Sequence, residues 1–562
     1  LGKPGSARGV LAVLAIVLWL LPAAQPSSAL AADAPDAALS HLLDEARAAA
    51  AVPGACAQPN LDRLVRVLCA TRLRVGMRGS YPLFSEIEDG ERTGYEIDVA
   101  RNIAARLGVD VEFINVEASN RIPALAEGKI DLVIAEMGDN VQRAAQVRFI
   151  RPHYYRSQTV LVGPNDGQTD DWNVVNGRTV CVTVGNGSNA RMLSHGTRLM
   201  LFDTAEALAD RLTDGTCGWA AQDDSFFAYY FTLPDFRARF AAKFGFSEVP
   251  WGMAVARTDS EKLARLLDLM SQVFHRDGVF LAAARAHRIG TGFLVPQRDL
   301  WSSSGCDTEF GSTNVACILP SADATMPATS FSAAVATFEA WVGRTFGFEL
   351  ILPMLKTEPA WNLFLDGVVN SLILVAGALT ATLVFAVLFG LALGSRARAV
   401  RWLARCVAIV IQSSPILLTL VIAAAMLHEF APNSAKLALV AAILALGMSN
   451  GCNAGQAISE AYLTLQAENL DRTPDGNLFR GALRRSATQI LSFLINAAKG
   501  TPIASFIGAP ELLSALTDIS SFSTGRATTY TLLLVFYTAI VMVVVWLVHR
   551  CQGFLERGYS PT

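Results

Sequence analysis

The hydrophobic pattern is dominated by two uncharged apolar runs, residues 367–395 and 406–427, with an arginine-studded turn between them. Each run exceeds the roughly 20 apolar residues that carry a helix across a bilayer, so the pair predicts a transmembrane hairpin. Arg396, Arg398, Arg401 and Arg405 occupy the turn with no acidic residue. Short arginine-rich loops are retained in the cytoplasm, which puts the turn inside and everything before residue 367 outside. Hydrophobic segments at 437–459, 486–510 and 527–548 bring the expectation to five spans, with the C-terminus inside. The Arg and Lys residues then number ten on the inner side and two, Lys436 and Arg526, on the outer.

Upstream the period changes. Short apolar strands at 73–76, 111–113 and 132–135 alternate with helical patterns at 96–107 and 121–127, and the same beat returns in 180–184, 205–212 and 218–222. Alternating strand and helix predicts parallel, helix-covered sheets, and two such series predict two lobes, with the cleft between them as the expected site. Ligands of such sheets bind beyond the carboxyl ends of the strands. The expected fold is therefore multidomain: an α/β two-lobed clamp followed by an all-α polytopic membrane domain.

Composition sharpens this division. A chain of 562 residues that is 52% hydrophobic and 17% charged is too apolar for an ordinary soluble enzyme, and the apolar surplus lies after residue 360. A net charge of -3, without a dense basic tract, gives no nucleic-acid signal, and no nucleic-acid partner is expected. Lys3 and Arg8 precede an apolar run at 10–22, and Ala29-Leu30-Ala31 offers a small-residue cleavage site, so residues 1–31 read as a signal peptide, with an uncleaved anchor as the alternative. Six cysteines fall in the exported half, where an oxidising compartment favours disulfides over metal ligands. Sequence order suggests the pairs Cys56–Cys69, Cys181–Cys217 and Cys306–Cys317, with other connectivities open.

Several short stretches of the exported half carry a resemblance. They are Leu73-Arg74-Val75-Gly76-Met77 with Tyr81 to Phe84, Thr93-Gly94-Tyr95-Glu96-Ile97-Asp98, Asn120-Arg121-Ile122-Pro123, Gly128-Lys129-Ile130-Asp131, then Arg143 and Tyr154-Tyr155. In this order they resemble the family 3 extracellular solute-binding proteins that capture polar amino acids, over residues 73–290. The resemblance implies a periplasmic clamp closing on an amino acid, whose carboxylate needs a guanidinium and amide donors and whose ammonium needs an acid. Arg143 stands where the family places its carboxylate-binding arginine, and Asp224 matches the ammonium-binding aspartate, with Asp223 as the alternative. Tyr81 and Phe84 would wall the cleft, or else be plain core. Gly187, Ser188 and Asn189, ahead of a predicted helix, would add donors from the second lobe; Ser188 could instead be an ordinary N-cap. Where relatives carry Thr-x-Thr, this chain has Gly138-Asp139-Asn140. The Gly138 N–H can still donate to a carboxylate and Asn140 can replace a hydroxyl. Arg121 beside Asn120 would favour an acidic ligand side chain, and Glu136 with Asp139 a basic one if they face the cleft.

Residues 302–330 read as a Ser/Thr/Pro/Gly linker, and 333–355 as a partly amphipathic stretch suited to a membrane surface, a short sixth span being the alternative. Further on, Gly367-Val368-Val369-Asn370-Ser371-Leu372, residues 401–418 and residues 499–512 resemble the amino-acid permease subunits of ABC importers of the histidine and glutamine type. That implies a dimer, of identical or related permeases, around a gated path. Lys499, Gly500 and Pro502 interrupt the span at 486–510, and Lys499, Thr501 and Pro502 are the candidates to line the path; Lys499 could otherwise snorkel to an interface. Glu460 and Ala461, with Gly476 further on, occupy the position of the family's ATPase-coupling loop, shortened here. The absence of a Gly-x-x-x-x-Gly-Lys-Ser/Thr motif means that ATP would be used by a separate partner subunit, and this chain would bind no cofactor.

The expected domains are 1–31, 60–300, 301–360 and 361–562. The expected function is amino-acid capture and uptake across a bacterial inner membrane, by a receptor fused to its permease. A sensor that no longer engages an ATPase is the alternative. A ligand-gated channel is disfavoured by the uninterrupted clamp, and an enzyme using Glu136 lacks a paired nucleophile or metal.

Overall fold

The computed structural model describes residues 34–58, 61–167, 169–303, 306, 317–322, 327–348, 350–428, 435–468, 475–523 and 525–557; the segment at 1–31, expected to be a signal peptide, lies outside the described residues. They form two compact units, one comprising the chain up to Ser157 with Glu248–Ala322, the other Gln158–Ser247 with Asp323 onward.

The strands among the described residues are β1 (Arg72–Met77), β2 (Glu86–Glu88), β3 (Glu91–Thr93), β4 (Asp110–Asn115), β5 (Leu132–Val133), β6 (Val147–Phe149), β7 (Tyr155–Pro164), β8 (Thr179–Thr183), β9 (Arg198–Phe202), β10 (Ala220–Asp223), β11 (Phe240–Trp251) and β12 (Ala254–Ala256). The first unit carries a sheet in the order β4-β1-β5-β12-β6, with β1 parallel to β4 and β5 and β12 antiparallel to β5 and β6. The other sheet runs β11-β7-β10-β8-β9, with β8, β9 and β10 parallel. The sequence therefore folds as its period predicts: a two-lobed α/β fold whose lobes each hold a mostly parallel sheet. The chain passes from one unit to the other within β7 and again within β11.

Three disulfides close loops in these lobes, at Cys56–Cys69, Cys181–Cys217 and Cys306–Cys317. One element has no counterpart in the sequence reading. The helix Ala34–Ala51 buries Ala38, Leu39, Leu42 and Ala46 along one face, and it is pinned to the helix Glu261–Arg276 by Asp36 with Arg276 at 2.6 Å and Glu45 with Lys262 at 2.8 Å.

The C-terminal half is helical. Among the described residues four helices are long and apolar enough to cross a membrane, within Glu358–Leu393, Lys436–Glu468, Ala487–Ile507 and Ala527–Arg550, and a fifth span exists if one bent pair is counted. That pair corrects the hairpin reading: the second apolar run is not one rod but two helices, Arg398–Ser413 and Ile416–Met426, bent by 110°. The cause is Pro415, which lacks a backbone donor and disfavours helical geometry in the residue before it; Ser414 is accordingly extended. The stretch at 333–355 is mostly the helix Ser332–Phe346, which leaves Phe338, Trp341 and Phe346 exposed.

The two longest helices, Glu358–Leu393 and Ala435–Glu468, pack along a glycine stripe. A Cβ on Gly447, Gly451 or Gly455 would fall 2.5 Å or less from the Cβ of Ala381, Phe385 or Phe389 respectively. Small residues at this spacing let backbones approach closely where hydrophobicity supplies little force between helices.

Candidate functional site

In the first lobe the candidate residues lie beyond the carboxyl ends of β1, β4 and β5, as a parallel sheet requires. The segment following β5 turns at Gly138, which bridges Trp251, while the Asp139 N–H donates to the Pro250 carbonyl at 2.8 Å. A side chain at 138 would collide with Val249, at 2.8 Å from a Cβ. Asn140 caps the short helix Val141–Ala144, its Oδ1 accepting from the Arg143 N–H at 2.9 Å. The Arg143 guanidinium returns to the Gly138 carbonyl at 2.9 Å. One turn thus gathers Gly138, Asn140 and Arg143.

Asp139 points elsewhere. It is fully buried; its Oδ2 accepts from the Arg151 guanidinium at 2.7 and 3.1 Å and lies 2.8 Å from His153 Nε2, and its Oδ1 accepts from the Ser321 hydroxyl at 2.6 Å. Burial alone would raise this carboxyl, but the bonds from His153, Ser321 and Arg151 outweigh it and hold it below the usual range. Asp139 is a positioning residue for the turn, so it cannot argue for a basic ligand.

Glu136 and Arg121 belong to a buried ionic cluster. Glu136 takes a left-handed backbone, φ 44°, which its own N–H helps to hold by donating to Glu96 Oε1 at 2.9 Å. Arg78 Nε stands 3.3 Å from Glu136 and its Nη1 2.7 Å from Glu117, and Tyr154 donates to Glu96. Burial first, then the Glu96 charge, pushes the Glu136 carboxyl well above the usual range, and burial raises Glu96 too. Arg121 donates to the Ala135 carbonyl, and burial followed by the charges of Arg143 and Arg78 pushes it down to about 9. Asn120 is exposed and accepts from the Glu117 N–H at 2.8 Å. Tyr81 and Phe84 are fully buried edge-on to each other and to Trp251, at centroid distances of 5.6, 6.3 and 5.4 Å. Their rings form the aromatic core beneath the turn.

In the second lobe the candidates follow the adjacent parallel strands β8 and β10. Asp224 opens the helix Asp224–Tyr230 and accepts from the Ser225 N–H at 2.7 Å. Ser188 is buried, and its hydroxyl has no hydrogen-bond partner among the described residues. Asn189, also buried, donates from Nδ2 to the Thr183 carbonyl at 2.9 Å and to the Ser521 carbonyl at 3.0 Å.

A two-lobed α/β fold with polar residues gathered at its strand ends is the architecture of a solute receptor, and the sequence profile of the bacterial extracellular solute-binding proteins, family 3, matches residues 73–361. The chain belongs to that family. Among its relatives are a probable histidine-binding protein of Campylobacter jejuni, 28% identical over 113 residues (20% of this chain, 44% of that protein), and an ABC transporter arginine-binding protein 1 of Escherichia coli, 31% identical over 93 residues (16% and 38%). A cyclohexadienyl dehydratase of Pseudomonas aeruginosa is 28% identical over 122 residues, 22% of this chain and 46% of that enzyme. The chain spans less than half the length of each of these three. A solved cysteine-binding protein from Campylobacter jejuni aligns at 24% identity and a TM-score of 0.38, covering 41% of this chain and 96% of that one.

The family match ends where the helices begin. There Lys499 stands exposed in the last turn of Ala487–Gly500, which tightens into a 3-10 helix, Thr501–Ile507, begun by Thr501 and Pro502. Thr501 is buried and donates to the Ala498 carbonyl at 2.8 Å. Glu460 is exposed and Ala461 half-buried within Ala435–Glu468, and Gly476 lies in the helix Asp475–Arg485. Residues 469–474 of the connecting loop lie outside the described residues. Sequence reasoning missed Glu511, a fully buried acid that caps the helix Leu512–Phe522 through the N–H groups of Leu513 (2.8 Å) and Ser514 (3.0 Å), and that accepts from Tyr537. Its signal was present: an acid directly before an apolar helical run is an N-terminal cap.

Proposed function

We propose that this chain is the fused receptor and membrane subunit of an amino-acid importer. The observation that carries the reading is a family 3 solute-binding fold continuous, in one polypeptide, with four to five apolar helices. In this reading the first lobe offers Arg143, the Gly138 N–H and Asn140 to the ligand carboxylate. The second offers Asp224 to the ammonium and Ser188 and Asn189 as further donors. Asn120, Arg121, Tyr81 and Phe84 shape the first lobe's surface from behind or beside that turn. Relatives named for binding histidine and arginine support an amino-acid ligand. Binding rather than catalysis is favoured because Glu136, the candidate acid for proton transfer, is closed in against Glu96 and Arg78.

The membrane half would pass the ligand along a path near Lys499, Thr501 and Pro502, in a dimer with a second copy or a related permease. The helix ends around Glu460, Ala461 and Gly476 would engage a separate ATPase on the cytosolic side of a bacterial inner membrane. A sensing role is the second reading, favoured by the short coupling connection between Glu468 and Asp475. Co-purification of an ATPase from native membranes separates the two. Calorimetric titration of the full chain in detergent with each of the twenty amino acids tests the ligand class, and heat from none of them would remove it. Arg143→Ala is expected to weaken the binding found by at least about a hundredfold, the scale of a charge-assisted, bidentate contact.

A further inference from the structure

The loop after β8 is joined to the helical half, by contacts that lie within a single compact unit. The helix Leu512–Phe522 ends by leaving carbonyls that its own backbone cannot satisfy. One of them, that of Ser521, receives two donors from the second lobe: the Gly185 N–H at 2.7 Å and the Asn189 carboxamide at 3.0 Å. Around this cap Ala190 and Leu193 pack with Leu512, Leu516, Ile519 and Phe522 in one apolar cluster. The pairing joins residues 332 positions apart in the chain. In the same loop the Ser188 hydroxyl is buried with no hydrogen-bond partner among the described residues, an arrangement that costs free energy.

The geometry points to a latch: the β8 loop of the second lobe holds the end of the Leu512–Phe522 helix through Gly185 and Asn189, and a ligand that recruits Asn189 releases it. This rests on the reading that Ser188 and Asn189 meet the amino acid. Asn189 has one carboxamide nitrogen, already shared between the Thr183 and Ser521 carbonyls, so a ligand oxygen must take a donor from one of them. Coupling of this kind is reciprocal: docking lowers ligand affinity by the factor by which ligand weakens docking. The second lobe would thereby report its occupancy directly to the helical half.

The test uses the full chain in lipid nanodiscs, with a saturating mixture of the twenty L-amino acids as the probe and amide hydrogen exchange as the readout. The mixture is expected to speed exchange of Gly185 at least about fivefold. Ala190→Glu, which drives a charge into the apolar part of the contact, should produce the same acceleration without the mixture, and should tighten ligand binding about fivefold to tenfold by removing the competing state. Leu193→Gln, a milder change at the same cluster, serves if Ala190→Glu does not fold. Gly185 exchange unmoved by either substitution overturns the latch. Exchange unmoved by the mixture, while calorimetry records binding, overturns its control by ligand. Absence of any binding heat removes the amino-acid reading and the release step with it, whereas the docking contact then stands or falls on the two variants alone.

Discussion

The two lobes share one plan of strand and helix but are stabilised differently. The first draws its own additions inward: the Ala34–Ala51 helix and the Ser321 hydroxyl both return to it, and its interior holds a buried ionic cluster beside an aromatic core around Trp251. The second has a core of its own around Leu161, Val182 and Trp219, yet its short helix Asn189–Ser194 gives Ala190 and Leu193 to a cluster made otherwise of residues from the helical half. A lobe that completes its own burial can move as a body; one that lends surface to a neighbour cannot move without uncovering it. The same plan of strand and helix thus completes its burial within itself in one lobe and with residues of the helical half in the other.

The sharpest way to break this contrast is to weaken each lobe separately. Trp251→Ala removes the largest fully buried side chain of the first lobe and should cost about 3–5 kcal/mol, seen as a lower urea midpoint with exchange in the Leu512–Phe522 helix unchanged. Loss of protection in that helix would show that the two units are not energetically separate. Replacing both Cys181 and Cys217 by serine opens a loop with a sequence separation of 36 residues and should cost the second lobe about 3–4 kcal/mol by chain entropy. A loss below about 1 kcal/mol would mean that the helices, not the crosslink, hold this lobe.

Much of this was legible in the sequence, because the decisive signals were local. Gly138, Asn140 and Arg143 fall within six positions, and the strand period around them fixes which end of the sheet they occupy. What stayed hidden depends on distant partners. Asp139 looks like a ligand acid until Arg151, His153 and Ser321, separated from it by 12, 14 and 182 positions, are seen to claim it. Tyr81 and Phe84 could not be divided between wall and core, since both places reward the same apolar ring. The bend is marked in the chain by Pro415, but 22 uncharged residues around it carry the stronger signal of a single span. The glycine stripe at 447, 451 and 455 is periodic, but Ser449, Asn450 and Asn453 between its members obscure it.

A smaller effect probes the closed interior of the first lobe by pH. His275 is fully buried, with Nε2 2.8 Å from the His153 carbonyl, and burial pushes it down to about 4 from an ordinary value of about 6.5. Below its ordinary value the unfolded chain takes a proton that the native lobe refuses. The stability linked to His275 is therefore complete above about pH 6.5 and lost as pH falls toward about 4, amounting to ~3 kcal/mol in all and ~2 kcal/mol by pH 5. Urea midpoints at pH 7 and pH 5 should show that fall, and His275→Phe should flatten it whatever its absolute stability. An unchanged slope would assign the acid sensitivity to another group.

Glu136 runs the other way and is the finest test of whether the first lobe's charges form one unit. Its carboxyl is raised well above 4.5 by burial and by Glu96, so the native lobe keeps a proton that the unfolded chain gives up. Its contribution is fully present below about pH 4.5 and declines as pH rises through its native value. Gln in its place cannot titrate and retains the shape, so Glu136→Gln should gain stability on the parent as pH rises from 5 to 8. An equal difference at both pH values would mean that Arg78 and Arg121 already keep Glu136 ionised. The cluster would then be a fixed ion pair and not a proton-sharing one, and Glu136 would regain its claim to attract a basic ligand.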